Sequence, residues 1–353
     1  KSDRTIKFNK RIMRTILILF IFLLISSQNF AQNKSEYSDI PRIDVHTHVA
    51  NNYDGIEKYL ELRNLLLKEY STDLAMWINL GGGNIPIRNL DSISLVSENR
   101  MLCTFSDYDP FHGLKYKPED LSGLKDQGFI GYKIWYGPYY RKLKEGEKGF
   151  RYVDDPIHEP MFSKMEELGI LATSIHIADP NGLFGKRTKW CADPVEYWRE
   201  INAFHNILKK YPDLKVVAAH ASWLICQDAQ IDYLRFLLST YPNFNIDLAA
   251  TFQYFDRVST DNLRDFMIEY SDRILFGTDA STWNSEEETK RKAVAYNRCF
   301  RILETDEIVE GGFFGNNTIQ GLNLPREVLE KIYYKNAVRI YPKVGERITS
   351  LGY

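Results

Sequence analysis

The stretch Ile43-Asp44-Val45-His46-Thr47-His48 reads as a short apolar strand that finishes in two histidines. Side chains on a strand alternate between faces, so His46 and His48 point the same way and Asp44 shares their parity. Seven further runs carry strand character: Leu74–Leu80, Met101–Ser106, Phe129–Trp135, Ile170–Ile177, Lys215–His220, Asn245–Ala249 and Arg273–Asp279. Amphipathic helical patterns fall at 55–70, 91–99, 118–127, 156–168, 194–211, 227–241 and 260–270. Asp155-Pro156 and Asp193-Pro194 are good helix entries, with Pro at the first helical position. Strands alternating with helices predict parallel β-α units, and eight such units predict an α/β fold, the closed (β/α)8 TIM barrel.

In a barrel the shared direction of His46 and His48 is inward, at the C-terminal mouth where barrel enzymes keep their sites. Three other strands end in groups that suit the same place. His176 ends the fifth in SIHIAD, His220 the sixth in VAAHASW, and Asp279 the eighth in LFGTDAS. Positions two and four upstream are Ser174 and Ala172, Ala218 and Val216, and Gly277 and Leu275. These are small or apolar, as a filled barrel interior requires. Five ionisable groups at the ends of four strands predict a metal centre.

The 353 residues hold 45 Lys and Arg against 47 Asp and Glu, a net charge of −2, with 44% apolar and 26% charged residues. Such a chain has ample apolar content to bury, which excludes disorder. No net positive field exists to hold nucleic acid. Four cysteines in this length exclude a disulfide scaffold. No internal repeat or low-complexity linker follows residue 40, so 41–353 reads as one domain after a short linker at 32–40. Its C-terminal extension holds a Gly- and Asn-rich loop, Gly311–Gly321, and an amphipathic helix, Leu324–Tyr341, expected on the barrel exterior.

Thr15–Ile25 reads TILILFIFLLI, after Lys7, Lys10, Arg11 and Arg14 and before SSQNFAQN. A charged start, a short apolar run and a small-residue exit predict a signal peptide over 1–31, cleaved after Ala31. Met13 is a candidate initiator. The run is short for a membrane span, which needs about 20 residues. The expected location is therefore periplasmic or secreted, with an uncleaved membrane tether as the alternative. Export permits disulfides, yet Cys103, Cys191, Cys226 and Cys299 are scattered and read as small buried hydrophobes. A bridge between Cys191 and Cys226 stays open.

The segments DVHTH, GYKIW, SIHIAD, VAAHASW, RILFGTDAS and LPREVLEKIYYKNAVRIY together resemble the amidohydrolase superfamily. The likeness runs over residues 41–341 and is greatest to the branch holding aminocarboxymuconate semialdehyde decarboxylase and its hydrolase and hydratase relatives. It implies metal ligation by His46, His48, His176 and Asp279, with His220 acting on the substrate or the attacking water. It favours one divalent ion. The alternative is a second ion bridged by a carboxylated Lys133, with His220 as a ligand. Neutral imidazole and carboxylate suit zinc, with manganese, iron or cobalt as alternatives. In this reading Asp279 and His220 are the catalytic groups, Asp279 as general base and then acid.

Lys133, Trp135, Trp223 and Arg257 are candidate substrate-binding residues on position. The loops Trp135–Lys142 and Gly182–Trp190, rich in aromatic and basic residues, should rim the mouth. His112 could reach that rim, whereas His158 and His205 read as structural. The expected partner is a small, anionic molecule. No nucleic acid and no lasting membrane association are expected, and a homodimer is compatible. The leading function is hydrolysis of a C–O or C–N bond, as in a lactone or amide. The alternatives are a non-oxidative decarboxylase or hydratase with the same metal, and then a barrel that binds without catalysis.

Overall fold

The computed structural model describes residues 35–48, 53–80, 90–106, 116–135, 152–177, 194–311, 313–315 and 317–353. The expected signal peptide, His112, Cys191, the loop at 182–190 and all but Trp135 of the loop at 135–142 lie outside the described residues.

The strands are β1 (Arg42–His48), β2 (Leu74–Asn79), β3 (Met101–Cys103), β4 (Phe105–Ser106), β5 (Tyr132–Trp135), β6 (Ala172–His176), β7 (Val216–Ala218), β8 (Phe244–Asp247), β9 (Ile274–Leu275) and β10 (Ala280–Ser281). Every pairing among them is parallel, running β10-β1-β2-β3 in one sheet and β4-β5-β6-β7-β8-β9 in the other. Only Thr104 separates β3 from β4, and its N–H still donates to Asn79 O at 3.0 Å, so the two are one bent strand joining the sheets. At the other seam the Val45 N–H donates to Phe276 O at 3.0 Å, and the Asp279 N–H donates to His46 O at 2.9 Å. The eight expected strands thus close into a (β/α)8 barrel.

The helices that pack around it are α1 (Tyr53–Tyr70), α2 (Leu90–Val96), α3 (Leu121–Asp126), α4 (Glu159–Leu168), α5 (Pro194–Lys210), α6 (Asp228–Thr240), α7 (Thr260–Glu269) and α8 (Glu286–Glu304). At the entry before α4, the Asp155 carboxylate accepts the Ile157 N–H at 3.1 Å, as Asp155-Pro156 led one to expect. The sequence reading contains no helix at α8. Its signal is local: Ser285 Oγ accepts the Glu288 N–H at 3.2 Å, and Glu288 reaches back to the Asn284 N–H at 3.1 Å. Three glutamates, Glu286–Glu288, also complement the positive end of the helix.

Past α8 an antiparallel hairpin, β11 (Ile308–Glu310) with β12 (Thr318–Gln320), leads to α9 (Arg326–Glu330), a π-turn at Lys331–Lys335, α10 (Asn336–Ile340) and α11 (Val344–Ser350). The expected exterior packing holds only for the first part of this segment. Val328, Leu329, Ile332 and Tyr333 join the cluster between strands and helices. Ala337, Ile340, Tyr341, Val344 and Ile348 instead pack on Ile43, Met76, Leu102, Leu171, Val217 and Leu275, most of which sit toward the strand N-termini. Tyr341 OH bonds Thr173 Oγ1 at 2.7 Å. The C-terminal segment therefore plugs the floor of the barrel, opposite the mouth.

The π-turn makes this possible. The Asn336 N–H bonds Lys331 O, five residues back, which releases Ile332 O to accept the Phe276 N–H at 2.9 Å. Strand eight and the C-terminal helix are thereby stitched together at the backbone.

Candidate functional site

The histidine strand is not regular. Asp44 faces Trp77 and Thr47 faces Asn79, so β1 holds one residue more than β2 across this interval. Such a bulge breaks the alternation of side chains. Asp44 accordingly turns its carboxylate into a buried network, although one oxygen still accepts the His46 N–H at 3.0 Å. It accepts hydrogen bonds from Thr278 Oγ1 and Tyr296 OH, both at 2.5 Å, and so faces α8. Burial raises its pKa to about 6.

His46 turns inward. Its Nδ1 lies 2.9 Å from Asp247 Oδ2, and its Nε2 lies 3.3 Å from Asp279 Oδ1. His48 is arranged likewise, with Nδ1 on Leu80 O at 3.0 Å and Nε2 at 3.2 Å from the same Asp279 oxygen. His220 places Nδ1 on Ala249 O at 2.8 Å. A carbonyl only accepts, so in His48 and His220 the proton sits on Nδ1 and Nε2 is left as the donor to a metal. His46, His220 and Asp279 offer ligand atoms that all lie within 4.8 Å of one another. The donor set, imidazole nitrogens around one carboxylate, fits a divalent cation of the zinc type.

His176 stands against this group, its ring centroid 4.7 Å from that of His220. The structure thus brings His46, His48, His176, His220 and Asp279 to one mouth. The trio whose ligand atoms all lie within 4.8 Å of one another includes His220, and neither His48 nor His176. His48 and Asp279 are partly exposed there, with side chains 37% and 30% accessible, so the site opens to solvent.

Electrostatics prepare the donors. Burial holds the His220 imidazole well below its ordinary pKa, with the neighbouring His176 adding to the effect, and burial lowers His48 as well. Burial works against the Asp279 carboxylate, but hydrogen bonding and charge from His46 outweigh it and hold Asp279 well below the usual range. Asp247, also buried, is brought down to about 2 by His46. His46 is the exception: burial pulls it down, yet the Asp247 carboxylate leaves it raised. Proton and metal compete for its Nε2.

The sequence reading missed Asp247. It ends β8 in NIDLAA, the position that marked out His176 and Asp279, so the same strand-end rule applied along the chain finds it. One oxygen holds His46. The other accepts the His220 N–H at 2.9 Å and the Ala249 N–H at 3.1 Å.

That second oxygen matters because the expected strand through His220 ends at Ala218. His220, Ala221, Ser222 and Trp223 then form a left-handed turn with φ of 57°, 49°, 52° and 59°. Left-handed backbone costs roughly 1–2 kcal/mol per non-glycine residue. Asp247 pins the start of this turn, Tyr197 OH donates to Ser222 O at 3.2 Å, and Trp223 stacks on His220 at 4.4 Å. Asp279 is also left-handed, at φ 65°. The backbone beside His46 is crowded, since a Cβ on Gly277 would lie 3.0 Å from His46 Cβ.

The remaining candidates fall around the group. Lys133 is buried opposite Ser106 and Thr173, and its charge acts on both His46 and His48. The Trp135 ring meets His176 edge-on at 5.8 Å. Arg257 is one ring removed: it lies over Tyr254 at 4.8 Å, and Tyr254 edges Trp223 at 5.9 Å. His158 is buried just before α4, and His205, on α5, bonds Tyr233 and Tyr241. Cys103, Cys226 and Cys299 are buried and unbridged among the described residues, and the open Cys191–Cys226 pairing falls on a residue outside them.

No curated protein sequence matches the chain significantly. An uncharacterized TIM-barrel protein from Bordetella bronchiseptica shares the fold, at 14% identity and a TM-score of 0.54 over 88% of this chain and 99% of that one. Solved structures also similar, at lower scores, include a 2,6-dihydroxybenzoate decarboxylase from Rhizobium (17% identity, TM-score 0.46, 85% and 98% covered). Another is a 4-oxalomesaconate hydratase from Rhodopseudomonas palustris (15% identity, TM-score 0.47, 88% and 98% covered). Residues 119–343, well over half of the chain, match the family profile described as Amidohydrolase. His46 and His48 precede the matched residues, yet the barrel closes them onto Asp279 within it, and the chain belongs to the amidohydrolase family.

Proposed function

We propose that this chain is an exported, metal-dependent hydrolase of a C–O or C–N bond in a small molecule of the lactone or amide type. The observation that carries the reading is the convergence on Asp279 of imidazoles whose Nδ1 atoms are already engaged, on Asp247, Leu80 O and Ala249 O. A divalent ion held there, zinc above all, would supply Lewis acidity and acidify the attacking water.

His46, His220 and Asp279 would hold the ion, with His48 and His176 beside them. Asp279 stays ionised and accepts the proton of the attacking water, then returns it to the leaving group. His220 stays neutral with its Nδ1 proton donated to Ala249 O, which keeps its Nε2 lone pair free to hold the ion. Asp247 keeps both histidines in place. Lys133 and Trp223 bind and orient substrate beside the cluster. Export rests on the amino-terminal Lys/Arg-flanked apolar run and is read out by a mature chain that begins at Gln32.

The test is metal analysis of protein purified without chelator, followed by a panel of lactones, esters and amides. One divalent ion per chain, lost on His46→Ala, with acid released from a panel member, is the expected result. A protein that takes up no divalent ion would sink the reading. Release of CO₂ from a carboxylated ring without hydrolysis of any panel member would assign the same site to decarboxylation.

A further inference from the structure

Lys292 lies on α8 four residues before Tyr296, so the two share a helix face. Tyr296 OH bonds Asp44 Oδ2 and lies 3.1 Å from Thr278 Oγ1, next to Asp279. The helix starts just after β10, at the C-terminal mouth. Lys292 is therefore about 6 Å nearer that mouth than Tyr296, beside the segment that carries Asp279.

Its surroundings are unusual for a lysine. The ammonium lies 5.7 Å from the Trp283 ring centroid, 5.1 Å from Phe313 and 5.9 Å from Phe314. Aromatic faces attract a cation, but they leave its three N–H donors without an acceptor of full strength. Among the described residues Lys292 makes no hydrogen bond or ion pair. The negative charges that act on it are Asp279 and Glu288. Asp279 is turned to His46 and His48, and Glu288 is held by the Asn284 N–H and Ser285 Oγ at 3.1 Å each. Phe314 is half exposed, so the cage opens to solvent. A partly buried ammonium whose two neighbouring carboxylates are both engaged elsewhere, beside an open site, is an attractor for an anion.

We propose that Lys292, caged by Trp283, Phe313 and Phe314, receives a carboxylate of a substrate whose reacting bond lies at His46, His220 and Asp279. This rests on the hydrolase reading above and narrows it to anionic substrates. The rival is a lysine whose stem merely packs on aromatic rings.

Calorimetric titration with straight-chain diacids from malonate to adipate, each against its uncharged diamide, decides between them. It is run on the full chain with and without zinc. At least one diacid should bind about tenfold more tightly than its diamide, as expected for a charge-assisted hydrogen bond. Lys292→Met should abolish that preference with zinc content and thermal midpoint unchanged, and Lys292→Arg should keep it. A preference that survives Lys292→Met, or no diacid that outbinds its diamide, overturns the assignment. Failure to load zinc counts against the hydrolase reading alone, because the Lys292 preference is still read in the zinc-free protein.

Discussion

Asp247 Oδ2 and His46 Nδ1 meet 2.9 Å apart in the barrel interior, while the second Asp247 oxygen holds the backbone of His220. One carboxylate therefore orients two members of the candidate trio, one on a strand and one in a turn. Removing it should loosen both. Asp247→Asn should lower zinc affinity about 10–100-fold, measured by competition with a chromogenic chelator. An unchanged affinity would show that His46 and His220 are held without it.

Gly277 allows strand eight to approach His46. In Gly277→Ala the new Cβ would stand 3.0 Å from His46 Cβ and 3.3 Å from Ala249 Cβ, and both neighbours are tied to the site. The expected cost is about 1–3 kcal/mol of stability, with weakened zinc binding. Denaturant unfolding and metal titration check the two together, and a variant as stable as the parent contradicts the crowding.

The start of the barrel is pinned by a buried ion pair. Arg42 Nη2 lies 2.6 Å from Glu304 Oε1, Tyr333 OH donates to the same oxygen at 2.8 Å, and the guanidinium lies over Phe300 and Tyr333. Glu304→Ala leaves a buried charge unpaired, which costs about 3–5 kcal/mol. The thermal midpoint should drop on the order of 10 °C. A drop of only a degree or two would mean that water or another group rescues Arg42.

His158 sets an acid limit on stability. Burial lowers its pKa from 6.5 to about 4. Above pH 6.5 the residue is neutral in both folded and unfolded chains and contributes nothing. As pH falls below 6.5 the unfolded chain binds a proton that the folded chain refuses, so stability declines until the pH passes about 4. The loss approaches about 3 kcal/mol. His158→Gln should flatten the urea midpoint across this window, and an equal acid loss in the variant would place the effect elsewhere.

Zinc should stabilise the fold through the same residues. A ligand bound only by the native chain at 100 times its Kd adds about 2.7 kcal/mol. The thermal midpoint should rise with zinc in the parent, and the rise should vanish in His46→Ala. An equal rise in both would locate the ion away from the mouth.

The sequence alone determined the barrel and the gathering of five candidate groups. Eight alternating units prescribe the closed ring, and placing His46, His48, His176, His220 and Asp279 at strand ends is enough to send them to one mouth. Local capping at Ser285 also marks α8, once Glu288 is read with it.

What the tertiary structure alone decided is which side chains share a face and which hold the others. The parity of Asp44 with His46 is a property of a regular strand, and the bulge that breaks it exists only because β1 pairs with β2 out of step. The left-handed turn at His220–Trp223 has no glycine to announce it; it persists because Asp247 and Tyr197 hold it from other elements. The C-terminal helix shows one apolar stripe in sequence, and the stripe does not say that its last turn will fill the barrel floor. Periodicity is local and survives in one dimension. Register, strain and the partner of a buried carboxylate are set by contacts between residues tens to hundreds apart in the chain, and so appear only once the ring is closed.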